Sequence, residues 1–230
     1  MLKLYGFAVS NYFNMVKLAL LEKNLPFEVI PFHGCQNPQI LAVSPRGKVP
    51  VLESAHGFVS ETDVILGYIE ETQPGKALLP ADPFERATVK ALAKEIELYI
   101  ELPARLCYAE VYFGGRATPE ALKAKALRDL LKGFDSLARR ARFAPYVAGS
   151  AFTLADIYFL YSVDLACGVG ERLFGVDFLA DMPAARSLLR MLALNPNVQR
   201  IAADKAAEIP AFMQRVRPAP FAQGAQPHWA

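Results

Sequence analysis

Gly47-Lys48-Val49-Pro50-Val51-Leu52-Glu53, followed closely by Ser60-Glu61-Thr62-Asp63, is the most informative stretch of the chain. Its proline precedes a short apolar strand, and proline cannot donate a hydrogen bond to a strand ladder. A cis bond between Val49 and Pro50, at a cost of only about 0.5–1 kcal/mol, would explain the proline and leave backbone groups open to a ligand. The second segment begins a helix, whose free N–H groups and positive dipole end favour an anion. The stretch therefore predicts a pocket that binds a peptide-like ligand through its backbone.

The first third of the chain alternates strand and helix patterns. Phe13, Val16 and Leu20 are at helical spacing, with Ser10 or Asn11 as the N-cap of their helix. The predicted elements are, in order, a strand over 2–5, a helix over 12–23, a strand over 27–32, a short helix over 38–43, a hairpin of strands over 49–53 and 58–59, and a helix over 63–71. The predicted core residues of that last helix are Val64, Ile65, Tyr68 and Ile69. A βαβ unit requires a parallel strand pair, and the following ββα unit requires an antiparallel hairpin.

The remainder of the chain favours helices alone. They are predicted over 84–113 with a kink at Pro103, and over 118–142, 153–165, 182–194 and 197–207. Thr118 should cap its helix with Pro119 at the first helical position, and Thr153 with Asp156 should form a capping box. We expect an α/β domain over 1–74, a linker over 75–83, an all-helical domain over 84–207 and an extended tail over 208–230.

Composition argues against several classes of function. The chain is 53% hydrophobic and 21% charged, which is typical of a soluble globular protein. Its net charge of +2 predicts no nucleic-acid partner, and without a long apolar run no membrane association is expected either. Cys35, Cys107 and Cys167 lack the spacing of a disulfide framework or a metal site. The first residues lead directly into a strand pattern rather than a signal peptide, so we expect a cytoplasmic protein without a metal.

Three motifs in this order give the chain a resemblance to a known family. They are LYGFAVS at 4–10 with VKLALLEK at 16–23, SPRGKVPVL at 44–52 with SET at 60–62, and AFTLAD at 151–156. Up to the neighbourhood of Lys205 the chain resembles the cytosolic glutathione transferases, in a serine-type, bacterial-like branch. The resemblance implies a thioredoxin-like N-terminal domain of order βαβ-α-ββα, followed by an all-α C-terminal domain. It also implies glutathione as the cosubstrate, a homodimer and a role in detoxification.

The resemblance assigns activation of the glutathione thiol to the start of the first helix. Ser10 matches the serine that donates a hydrogen bond to the glutathione thiolate. A free thiol has a pKa of about 8.5, and a hydroxyl donor beside a helix N-terminus stabilises the thiolate and lowers that pKa. Capping the helix is the other role open to Ser10, and Tyr5 and then Asn11 are the alternative catalytic residues. No cysteine lies at or beside position 10, which argues against the thiol-disulfide branches of the family.

The same resemblance assigns the glutathione-binding residues. Val49-Pro50 would present the Val49 backbone to the cysteinyl part of glutathione, like an added strand. Glu61 would pair with the γ-glutamyl ammonium, and Thr62 would hold the γ-glutamyl carboxylate through its hydroxyl and backbone N–H. Lys48 would pair with the glycyl carboxylate or lie exposed. Gln36 matches a position that often contacts the glycyl end, where a basic residue is common.

The second substrate would lie between the two domains. Phe7, Ala8 and Tyr12 would line its site from one side, and Tyr108 and Tyr112 from the other; core packing or dimer contacts are equally open to these residues. Their apolar and aromatic character suits a small hydrophobic electrophile. We therefore expect a glutathione transferase that activates the thiol as a thiolate. The alternatives are a glutathione-dependent isomerase or dehalogenase on the same fold, or a non-catalytic binding or regulatory protein.

Overall fold

The N-terminal part of the chain forms a four-stranded sheet in the computed structural model, which describes residues 1–216. The strands are β1 (Leu2–Gly6), β2 (Phe27–Pro31), β3 (Val51–Ser54) and β4 (Gly57–Ser60). Their order in the sheet is β2-β1-β3-β4. β1 pairs in parallel with β2, and β3 pairs antiparallel with both β1 and β4. The predicted parallel pair and antiparallel hairpin are therefore confirmed.

Three helices accompany this sheet, namely α1 (Asn11–Glu22), α2 (Pro38–Leu41) and α3 (Thr62–Thr72). The three apolar residues predicted to face the core from α1 are fully buried. In α3 the prediction was wrong at Val64, whose side chain is 56% exposed. Leu66 is buried instead, because Ile65, Leu66 and Ile69 lie on one face of the helix at i, i+1 and i+4.

The rest of the described chain is helical, as predicted. Its helices are α4 (Pro83–Ile96), α5 (Leu102–Arg105), α6 (Tyr108–Phe113), α7 (Glu120–Arg140), α8 (Leu154–Val169), α9 (Pro183–Ala193) and α10 (Pro196–Val216). π-helical turns at Glu97–Glu101 and Gly170–Phe174 follow α4 and α8. α8 packs against α1, α4, α5, α6 and α9, so it lies at the centre of the molecule. Within residues 1–216 no helix has the length and apolar character needed to cross a membrane.

The single helix expected over 84–113 is divided into α4, a π-helical turn, α5 and α6. Pro103 explains the break, because it has no N–H to donate to the carbonyl of Tyr99, four residues earlier. That carbonyl lies against the backbone of Gly133 in α7, where a Cβ atom would come within 2.2 Å of it. The sequence indicated the kink but not the close approach that accommodates it.

The two predicted helix starts have different outcomes. α7 begins at Glu120 with Pro119 in the N-cap position, so the expected cap at Thr118 is wrong. The Thr118 N–H donates to Glu110 Oε2 at 2.7 Å, which ties the residue to α6. The capping box of α8 is confirmed, since Asp156 Oδ2 accepts from the Thr153 N–H at 2.8 Å.

The extended tail predicted from residue 208 is wrong over 208–216, because α10 continues to Val216 through Pro210. Tertiary contacts account for the longer helix. Glu208 Oε2 accepts a hydrogen bond from the Ala8 N–H at 2.6 Å, and the Phe212 ring stacks on Phe7 with centroids 5.5 Å apart. The remainder of the predicted tail, 217–230, lies outside the described residues.

Candidate active site

Two adjoining cavities lie where the sheet domain meets the helices. The first has a volume of about 600 Å³ and the second of about 490 Å³. Phe7, Ser10 and Arg105 line both. A group held beside Ser10 can therefore reach ligands in either cavity.

The first cavity brings together most of the residues predicted to bind glutathione. Those lining it are Ser10, Lys48, Val49, Pro50, Glu61 and Thr62. The bond between Val49 and Pro50 is cis, as the sequence predicted. Thr62 is buried at the first position of α3, and no side chain within residues 1–216 caps that helix. The cavity thus has an uncapped helix N-terminus, which suits a carboxylate.

Glu61 adopts a backbone conformation that few residues other than glycine adopt, with φ at 71°. It precedes α3, and its carbonyl accepts the Ile65 N–H at 2.9 Å. A strained backbone of this kind is found most often at binding sites. At this position it presents the Glu61 side chain to the cavity, where a carboxylate could pair with an ammonium group.

Ser10 is the N-cap of α1. Its Oγ accepts from the Phe13 N–H at 3.3 Å, and its own N–H donates to the Phe7 carbonyl at 3.1 Å. Within residues 1–216 the Ser10 hydroxyl donates no hydrogen bond. The capping role and the donor role are therefore compatible, since the cap uses an oxygen lone pair and leaves the proton available.

Tyr5 and Asn11, the alternative catalytic residues, are engaged elsewhere. The Tyr5 hydroxyl donates to Glu53, which raises the pKa of Tyr5 to about 12, and Tyr5 lines neither cavity. Asn11 is buried and lines the second cavity. Its Nδ2 donates to Glu101 Oε1 at 3.0 Å, and its Oδ1 accepts from Arg105 at 2.7 Å.

Gln36 is the one predicted glutathione-binding residue that does not line the first cavity. It is exposed, and its Nε2 donates to the carbonyl of Arg46 at 3.4 Å. Arg46 lines the cavity instead and places a positive charge on its wall. The signal was present in the sequence, because Arg46 immediately precedes Gly47 in the stretch that predicted the pocket.

The second cavity contains three of the five residues expected to hold the electrophile, counting Phe7. Tyr108 and Tyr112 line it, with their hydroxyls donating to Glu101 Oε2 at 2.9 Å and to the Leu165 carbonyl at 2.6 Å. Burial raises the pKa of Tyr112 to about 12. Tyr12 lines the first cavity only. Ala8 is buried and lines neither cavity.

Several residues of the second cavity had no signal in the sequence. Ile209, Phe212 and Met213 come from the part of α10 that was expected to be an extended tail. Cys167 also lines the cavity, and burial raises the pKa of its thiol to about 12, so it stays protonated at neutral pH. Among residues 1–216 no group of three or more His, Cys, Asp or Glu side chains could hold a metal ion.

Known proteins resemble this chain in sequence and in fold. A family model described as "Glutathione S-transferase, N-terminal domain" matches residues 4–77. A glutathione S-transferase from Pseudomonas putida is 64% identical over 217 residues, which is 94% of this chain and 98% of that protein. A maleylpyruvate isomerase from a Ralstonia species is 31% identical, covering 81% of this chain and 90% of its own. The crystal structure of a glutathione S-transferase from Pseudomonas fluorescens superposes with a TM-score of 0.70 at 25% identity, covering 85% of this chain and 96% of that one. This chain belongs to the glutathione S-transferase family.

Proposed function

We propose that this protein is a glutathione transferase that binds glutathione in the first cavity and joins it, through its sulfur, to a hydrophobic electrophile in the second. The observation that carries the proposal is that Ser10 lines both cavities. A thiolate beside the Ser10 hydroxyl faces both its own binding site and the acceptor site. The 64% identity to a glutathione S-transferase supports the same activity.

The glutathione molecule is held at four points. The Val49 backbone binds the cysteinyl part, and Glu61 binds the γ-glutamyl ammonium. The γ-glutamyl carboxylate binds at Thr62, where the uncapped N-terminus of α3 adds N–H donors. Arg46 and Lys48 carry the positive charge that pairs with the glycyl carboxylate.

Ser10 lowers the pKa of the bound thiol by donating a hydrogen bond to the thiolate, and the N-terminus of α1 adds to this effect. The thiol proton leaves to solvent before the attack. The thiolate sulfur then forms a bond to the electrophilic carbon. In a substitution the leaving group departs with its bonding electron pair, and in an addition the neighbouring carbon takes up a proton.

Glutathione binding and conjugation together test the proposal. Titration calorimetry should detect glutathione binding, and chlorodinitrobenzene should give the glutathione conjugate with release of chloride. Glu61→Gln should weaken glutathione binding about tenfold or more, because it removes a charge-assisted hydrogen bond. Glu120→Gln, a substitution at a side chain that is 88% exposed, should not change it. Failure to bind glutathione at millimolar concentration would overturn the proposal.

A glutathione-dependent isomerase is the second candidate, and the similarity to a maleylpyruvate isomerase favours it. In an isomerisation the thiolate adds to the substrate and leaves again, so glutathione is not consumed. Measuring glutathione consumption against product formation separates the two reactions. Turnover of a cis dicarboxylic enone without loss of glutathione would favour the isomerase.

We also expect a cytoplasmic homodimer that acts in detoxification. Four partly exposed apolar side chains on consecutive turns after α4 support association, namely Leu98, Tyr99, Leu102 and Leu106. All three cysteines are unpaired, as is usual in a reducing compartment. Light scattering on the purified protein gives the oligomeric state.

A further inference from the structure

Arg105 lies at the end of α5, where the two cavities meet. Its side chain is 40% exposed, although its ion-pair partner Glu101 is fully buried. Among the cations that line the second cavity within residues 1–216, Arg105 alone also lines the first. It is therefore the positive charge of the acceptor site that shares a cavity wall with both Ser10 and the glutathione-binding residues.

Only one of the three guanidinium nitrogens of Arg105 has a hydrogen-bond partner within residues 1–216. Nη2 donates to Glu101 Oε1 at 2.5 Å and to Asn11 Oδ1 at 2.7 Å. A guanidinium carries five N–H donors in a rigid fork. The Nε and Nη1 donors are consequently available to a ligand at the junction of the cavities.

Two tyrosine rings hold the guanidinium in place. The Arg105 Cζ lies 4.8 Å from the centroid of the Tyr12 ring and 5.2 Å from that of Tyr108. Such cation–π contacts are attractive and favour this position of the group before a ligand arrives. A pre-positioned fork binds a planar anion with less loss of conformational freedom than a mobile side chain would.

The buried carboxylate of Glu101 does not prevent an anion from binding. Besides Arg105, it accepts hydrogen bonds from Asn11 Nδ2 at 3.0 Å and from the Tyr108 hydroxyl at 2.9 Å. Its negative charge is therefore distributed over three donors and lies out of contact with solvent. A ligand in the cavity can therefore contact the guanidinium of Arg105 but not the carboxylate of Glu101.

The other cations of the second cavity are less suited to this role. Arg172 donates from Nη1 to the Val111 carbonyl at 3.1 Å and lies over the Tyr112 ring. Lys205 interacts with the carboxylate of Asp164. Burial raises the pKa of Asp164, and the positive charge of Lys205 offsets part of that rise. Neither residue lines the first cavity, so neither is placed beside the reacting sulfur.

We propose that Arg105 determines the specificity of the acceptor site by binding a carboxylate of the second substrate. The preferred electrophiles are then aromatic or unsaturated acids, whose apolar part occupies the second cavity while the carboxylate pairs with the guanidinium. This inference rests on the proposed function for the acceptor role. The anion binding itself does not depend on turnover and can be tested separately.

The binding arm uses dinitrobenzoate and its methyl ester, which have no leaving group, in the presence of saturating glutathione. Calorimetry should show the acid binding about tenfold more tightly than the ester, equivalent to ~1.4 kcal/mol. Arg105→Met should abolish that preference, and Arg105→Lys should retain part of it because the charge remains. Arg200→Met, at an exposed position of α10, should leave the preference unchanged.

The turnover arm compares chlorodinitrobenzoate with its methyl ester, each rate being divided by the uncatalysed reaction with glutathione. Sulfur replaces chloride in both, so the ratio of kcat/KM values reports the carboxylate alone. The ratio should favour the acid about tenfold in the wild type and fall to near one in Arg105→Met. If neither chloride gives a conjugate, the proposed function fails while the binding arm still reports on Arg105.

Two outcomes would overturn the inference. One is equal binding of acid and ester by the wild type. The other is that Arg105→Met keeps the preference for the acid while its KM for glutathione rises. Arg105 would then bind a carboxylate of glutathione itself. Arg105→Met leaves Glu101 buried without its ion-pair partner and can fail to fold for that reason. The double variant Glu101→Gln/Arg105→Met removes both charges, and the same binding measurement is then made on it.

Discussion

The Ser10 hydroxyl can serve two purposes. Its oxygen caps α1 by accepting the Phe13 N–H, and its proton remains available for the proposed hydrogen bond to the glutathione thiolate. Ser10→Ala should therefore raise the pKa of the bound thiol and reduce turnover at neutral pH by about 10- to 100-fold, the range expected for a lost hydrogen bond to a charged group. Because less thiolate exists at a given pH, the pH–rate profile should move to higher pH. Ultraviolet absorbance of the thiolate during a pH titration measures the shift directly.

Two matched variants separate this role from its alternatives. Ser10→Thr keeps a hydroxyl and should retain most of the activity and the low thiol pKa. Tyr5→Phe should leave the activity and the thiol pKa unchanged, because the Tyr5 hydroxyl is hydrogen-bonded to Glu53 and lies outside both cavities. A silent Ser10→Ala together with a severely impaired Tyr5→Phe would transfer the catalytic role to Tyr5.

Motif residues were more predictable than residues that meet only in three dimensions. Val49, Pro50, Glu61 and Thr62 belong to one short stretch with recognisable backbone chemistry, and they share one cavity. Arg105 offered no such pattern in the sequence. Its position at the candidate active site depends on its contacts with Asn11 and Tyr12 of α1, which are distant in sequence and which no local spacing reveals.

At the scale of elements, the sequence predicted which helices and strands exist better than it predicted where they end. Strand pairing followed from the order of apolar segments, and the start of α8 followed from its capping box. α10 was predicted to end near Ala207, because Pro210 and the composition of the last segment are unfavourable to a helix. Contacts of Glu208 and Phe212 with the N-terminal domain accompany the longer helix, and these are tertiary.

The extension of α10 has a consequence for the acceptor site. The Phe212 ring stacks on Phe7 and meets Phe113 with centroids 5.3 Å apart. Phe212→Ala should raise the KM for a hydrophobic electrophile about fivefold, since aromatic pairs contribute about 0.5–1.5 kcal/mol beyond burial. The KM for glutathione should not change. Val216→Ala, at an exposed position of the same helix, is the control, and an equal effect on both substrates would contradict the assignment.

At the scale of the whole molecule, α8 connects the two halves. It packs against α1 beside the sheet and against α4 in the helical part. Its N-terminus is also tied to the preceding loop, because Asp156 Oδ1 accepts the Val147 N–H at 2.8 Å while Oδ2 serves the capping box. The Asp156 side chain is fully buried, so water cannot replace these bonds.

Asp156→Ala should therefore lower the free energy of unfolding by about 2–6 kcal/mol, because two buried N–H groups lose their acceptor at about 1–3 kcal/mol each. The comparison is Asp82→Ala, which removes the exposed N-cap of α4, where Oδ1 accepts the Glu85 N–H at 2.8 Å. Water can solvate that N–H, so the loss should be only about 0.5–2 kcal/mol. Urea unfolding followed by circular dichroism measures both values. Equal losses would mean that Asp156 acts as an ordinary helix cap and that the link from α8 to the Val147 loop does not stabilise the molecule.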